Sequence, residues 1–127
     1  MKINDPDVVA AVREVFDRYE AALLANDTET LDALFLHRGD TVRYGVAETQ
    51  RGIEAIRAFR ATQRPFERRL ENVVVVTYGQ DVATASALFY RPDYPGEVGR
   101  QQQTWIRTES GWVIAAAHVS MMPASKL

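Results

Sequence analysis

At 127 residues, 46% apolar and 25% charged, with a formal net charge of -2, the chain has the composition of a single globular domain over residues 1–127. That balance reads as a globular rather than a disordered chain, with only the last few residues loose, and gives no electrostatic basis for nucleic-acid binding. No apolar run approaches the roughly 18 residues of a membrane span, the N-terminus lacks the apolar stretch of a secretory signal, and the absence of cysteine rules out disulfides and thiol nucleophiles and suits a cytoplasmic protein.

The elements begin with Asp5-Pro6, an N-cap followed by proline at the first helical position. Val8, Val12, Val15, Phe16, Tyr19, Ala22 and Leu23 then recur at three- and four-residue spacing, predicting a long amphipathic helix over residues 6–25. Asn26-Asp27-Thr28 breaks it and caps a shorter helix carrying Leu31, Leu34 and Phe35. Residues 41–46 have strand character and turn at 47–49 into a second short strand. Gly52 opens a third helix with Ile53, Ile56, Phe59 and Arg60 facing inward, and Pro65 is expected to stop it.

The remainder alternates with a period of two: strands over 70–78, 82–91, 98–107 and 112–121, joined at Gly79-Gln80-Asp81, 92–96 and Glu109-Ser110-Gly111. Three strand-turn-strand units in succession form an antiparallel meander. Helices ahead of such a sheet make an α+β fold, a curved antiparallel sheet with three helices in the first half of the chain, enclosing a pocket.

No phosphate loop or nucleophile elbow is present. His37 and His118 stand apart from any metal-ligand spacing, so no metal is expected. The candidates are polar residues on apolar faces. Tyr19 continues the buried helical stripe, either as a core tyrosine with its hydroxyl tied to a neighbour or as a phenol at the pocket wall; a free phenol, with a pKa of about 10, suits the role of acid. Arg43 shares a strand face with Thr41 and Gly45 and points either to solvent or inward, where it needs an anionic partner. On the strand over 98–107, Gln101, Gln103 and Trp105 share one face and Arg100, Gln102 and Thr104 the other, and one of these faces must turn inward. His118 follows three alanines and reads as a structural histidine or a base. Thirteen arginines stand against two lysines, reflecting Arg-rich codon usage or carboxylate recognition by the guanidinium fork.

Several segments together resemble the AtzH-like family, which includes proteins of the AtzH and HpxZ types within the NTF2-like, SnoaL-like superfamily. They are Arg18-Tyr19-Glu20, Asn26-Asp27, Thr41-Val42-Arg43-Tyr44-Gly45, Ala55-Ile56-Arg57-Ala58-Phe59-Arg60, Thr77-Tyr78-Gly79, Gly99-Arg100-Gln101-Gln102-Gln103-Thr104-Trp105 and Ala116-Ala117-His118-Val119-Ser120. The resemblance runs from Ile3 to Ser120. It implies an NTF2-like fold and a cofactor-free, decarboxylating amidohydrolase that converts 1,3-dicarboxyurea to allophanate in cyanuric acid (s-triazine) catabolism. It carries a catalytic tyrosine and arginine onto Tyr19 and Arg43. Arg60, Arg100, Gln103, Trp105 and His118 are the candidates for binding a small anionic, urea-derived substrate.

Two other readings accompany it. An isomerase or cyclase of the ketosteroid-isomerase type needs an inward carboxylate, for which Glu20 and Glu48 are the candidates. A non-catalytic pocket protein in oxalurate or ureide breakdown would serve a partner amidase. A homodimer or higher homo-oligomer is expected, with Gln102, Thr104 and Trp112 on a pairing face of the meander.

Overall fold

The computed structural model describes residues 1–127. Helix α1 spans Pro6–Ala25, with the Asp5 carboxylate accepting from the Asp7 N–H at 3.0 Å. It ends at Asn26, whose φ of 54° turns the chain out of the helix. Helix α2 is the short Thr28–Ala33, capped by Asp27, which leaves Leu34 and Phe35 just beyond its end. Strands β1 (Val42–Tyr44) and β2 (Thr49–Arg51) form a tight hairpin ahead of α3 (Ile53–Arg60). Four longer strands follow: β3 (Arg69–Tyr78), β4 (Val82–Tyr90), β5 (Glu97–Thr108) and β6 (Gly111–Pro123).

Two expectations are corrected at this level. Helix α3 stops at Arg60, before Pro65, because the Thr62 and Gln63 amides turn to the carbonyls three residues back and tighten the chain. The sheet is mixed rather than purely antiparallel. Its order is β2-β1-β6-β5-β4-β3, and β1 runs parallel to β6. The chain is led there by Leu34 and Leu36, which exchange backbone hydrogen bonds with Ile114 on β6.

The apolar stripe of α1 lies across the inner face of the sheet. Val12 and Phe16 are fully buried, and Ala83, Ala85 and Ala87 of β4 face the helix. Three small side chains in a row let helix and sheet approach closely there. Farther along the same face the alanines give way to Phe89, α1 ends at Asn26, and a hollow opens between them.

A bulge in β6 controls which side chains reach that face. Trp105 pairs with Ile114, but Thr104 pairs with Ala116, so Ala115 is an extra residue. Trp112 and Ile114 point inward before the bulge; Ala117, Val119 and Met121 do so after it. Trp112 therefore packs against the core and does not join Gln102 and Thr104 on the outer face, where the pairing surface was expected to include it.

Candidate functional site

The hollow is a cavity of about 290 Å³, walled by the C-terminal half of α1, the β1–β2 hairpin, α3 and the inner faces of β4, β5 and β6. Tyr19 enters it from α1. Its ring is buried, set edge-on to Phe35 at 6.3 Å and to Trp105 at 6.4 Å between centroids. These two aromatic contacts fix the plane of the phenol from behind while its other side lines the cavity.

Arg43 enters from β1, opposite. Its Nη1 donates to Gln50 Oε1 at 2.8 Å and to Glu48 Oε1 at 3.1 Å, and its guanidinium lies over the Phe59 ring at 4.4 Å. The local sequence explains this. Arg43 and Gln50 are cross-strand partners, so both face inward. Gly45 leaves room for the Glu48 side chain to fold back across the hairpin; a β-carbon at 45 would overlap the Glu48 carboxylate. The inward direction of Arg43 thus follows from its hairpin.

Arg60 completes the floor. It is 3% exposed, and its Nε and Nη2 have no hydrogen-bond partner. Its guanidinium carbon lies 5.8 Å from the centroid of the Phe59 ring that also carries Arg43.

Other expected site residues fall outside this wall. Trp105 and Gln103 are buried on the inner face but stand behind Tyr19: Trp105 Nε1 donates to Gln103 Oε1 at 3.0 Å, and the indole edge braces the phenol. Arg100 and His118 lie on the outer face of the sheet, away from the cavity. Strict alternation along β5 puts Arg100 outside, where its Nε donates to Ser120 Oγ at 3.2 Å. Unbroken alternation from Trp112 and Ile114 would have brought His118 inside. The bulge at Ala115 reverses the phase, and His118 packs edge-on against Tyr44 instead.

The sequence reading missed Arg68, Gln101 and Phe89. Arg68 grips Glu20 through Nε at 2.9 Å and Nη2 at 2.6 Å, donates to Gln101 Oε1 at 3.0 Å, and covers the Phe89 ring at 4.6 Å. Nothing local marks it among the arginines that precede β3, since its partners are 33 and 48 residues away. Gln101 had a signal: it shares its strand face with Gln103 and Trp105. Both carboxylates considered as bases, Glu20 and Glu48, are held by arginines. No three His, Asp or Glu side chains converge anywhere in the chain.

The AtzH-like family profile matches residues 1–125. The chain belongs to the AtzH-like family. Two solved structures are 49% identical to this AtzH-like chain. One, from Pectobacterium atrosepticum SCRI1043, is a DUF3225-family protein with unknown function; the alignment covers 94% of each chain at a TM-score of 0.91. The other, a cystatin-like fold protein from Burkholderia xenovorans LB400, aligns over 97% of this chain and 98% of its own at 0.93. An NTF2-like protein of unknown function from Pseudomonas putida KT2440 shares 18% identity over 90% and 86% of the two chains at 0.74, a likeness of fold alone. No curated protein matches. The AtzH-like chain thus has an NTF2-like, α+β fold, and no helix in it is long and apolar enough to cross a membrane.

Proposed function

We propose that the chain is a cofactor-free enzyme that removes one carboxylate from a carboxylated urea, with 1,3-dicarboxyurea as substrate and allophanate as product. The observation that carries this reading is the convergence of Tyr19 and Arg43, from opposite walls, on one small cavity. The reaction breaks a C–N bond and releases carbon dioxide. The bonding pair stays on nitrogen, the urea carbonyl delocalises it, and one proton must arrive there. In this reading Tyr19 gives that proton, and Arg43 polarises the carbonyl or orients the departing carboxylate as its charge is lost.

Phe59, Phe66 and Phe89 line the cavity beside the arginines, so a carboxylate bound there sheds part of its hydration. The arginine pairing of Glu20 and Glu48 weighs against the carboxylate-base chemistry of an isomerase, because neither stands free as a base.

The test is carbon dioxide release from 1,3-dicarboxyurea by purified wild type, Tyr19→Phe and Arg43→Ala, with circular dichroism to check folding. Removing the proton donor should lower kcat by about 10²–10⁴-fold. Removing the guanidinium should lower it by about 10²–10³-fold. Full activity in both folded variants would refute the assignment.

A further inference from the structure

Four arginines show how this chain uses the guanidinium edge formed by Nε and Nη2. In Arg38 it grips Asp40, in Arg68 it grips Glu20, and in Arg91 it grips Asp93, each through two hydrogen bonds of 2.6–2.9 Å. In Arg60 the same two atoms are buried and unpartnered, and the side chain lines the cavity. A buried guanidinium without a counter-charge is costly, and the chain keeps it at the site where an anion would satisfy it.

A second unpartnered donor belongs to a residue of the same wall. Gln101 lines the cavity and is 4% exposed; its Oε1 is taken by Arg68, and its buried Nε2 has no partner. Arg43 differs: its charge is already opposed by Glu48 and its Nη1 already spoken for by Glu48 and Gln50. Of the two cations set against Phe59, Arg43 is therefore compensated and Arg60 is not.

We infer that Arg60, assisted by Gln101, forms a second anion subsite that takes a carboxylate through the Nε–Nη2 edge, so that the cavity selects short dianions over monoanions. The subsite stands on geometry alone; its role in the reaction rests on the decarboxylation proposed above. There, the retained carboxylate sits on Arg60 at full strength. The departing one lies near Tyr19 and Arg43, where the opposing charge of Glu48 weakens its hold and its loss costs less.

The experiment uses non-reacting probes. Glutarate places three atoms between its carboxylates, as 1,3-dicarboxyurea does, and butyrate is its monoanionic counterpart. Calorimetry on the wild type should show glutarate bound at least about tenfold more tightly, the effect of one bidentate charged contact. Arg60→Met should abolish that preference, leaving glutarate bound no more than about twofold more tightly than butyrate. Its Tm should not fall, because the substitution removes an unpaired buried charge. Arg60→Lys, which keeps the charge without the fork, should retain only part of the preference and carries the test if the methionine variant does not fold. Lack of a preference in wild type, or its survival in the methionine variant, overturns the subsite. A preference with no turnover of 1,3-dicarboxyurea counts against the reaction alone, and turnover with no preference counts against the subsite alone.

Discussion

Gly99 shapes the cavity without touching its chemistry. A β-carbon there would overlap the Phe89 ring, which is buried, lines the cavity and carries the Arg68 guanidinium on its face. Phe89 and Gly99 are cross-strand partners, so the glycine is the recess into which the ring settles. Gly99→Ala should drive the ring toward the space where a substrate would lie. The expected cost is about 1–3 kcal/mol of stability, as for other overpacked sites, together with weaker glutarate binding. Adding Phe89→Leu should restore part of both, read by urea denaturation and calorimetry. A single alanine variant with unchanged stability and binding would show that the ring has room elsewhere. At this scale Tyr19 was legible in the sequence as a member of a buried stripe. Its emergence at a wall was not, because helical period tells which face is covered but not where the covering stops.

At the scale of the element, the legible features were those set by local chemistry. Helix α1 runs over the residues that its N-cap, proline and apolar stripe mark out, and the four long strands lie where period-two alternation puts them. Two kinds of information were not local. The bulge at Ala115 leaves no residue signature in a run of alanines, yet it decides that His118 faces out and Val119 faces in. The parallel pairing of β1 with β6 depends on a partner more than 70 residues away, and it is what places Arg43 beside Ala117 on the inner face.

Capping gives this scale its own prediction. The Asp27 carboxylate accepts from the Thr30 hydroxyl at 2.7 Å and the Thr30 N–H at 3.2 Å, and these bonds hold it below its ordinary value of 3.8. A lowered folded-state pKa means that the cap contributes stability above the unfolded value, which is lost as pH falls through the folded one. Asp40 and Asp93, held low by hydrogen bonds from Arg38 and Arg91, act in the same direction. Asp27→Asn keeps a good capping residue but removes the titration. Wild type and variant should therefore have similar Tm at neutral pH, and the wild type should lose ground to the variant as the pH is taken below about 4. Parallel Tm curves through the acid range would show that Asp27 adds nothing to acid sensitivity.

For the whole molecule, the sign of the charge differs between surface and cavity. The chain has a formal net charge of -2, yet five arginines and one glutamate line the cavity. Glu20 and Asp93 offset two of those arginines and Glu48 a third, which leaves Arg60 and Arg64 without an ion pair. An incoming anion thus meets a mildly repulsive exterior and a positive interior whose aromatic walls limit screening. Steering of this kind acts on association more than on dissociation, and salt weakens it. The Debye length shrinks from about 30 Å at 0.01 M salt to about 8 Å at 0.15 M, so an approaching ligand is screened from the cavity charge well before contact. Stopped-flow association of glutarate should slow as sodium chloride is raised across that range, and more steeply than that of butyrate, because the dianion couples twice to the same field. Arg64→Gln should flatten the glutarate dependence while leaving its dissociation rate nearly unchanged, since Arg64 lines the cavity with an exposed side chain and has no part in the proposed subsite. Identical salt slopes for the two ligands would mean that the arginines act only on contact, through the hydrogen bonds that Arg43 and Arg60 can make, and that the positive interior has no role in recruiting substrate.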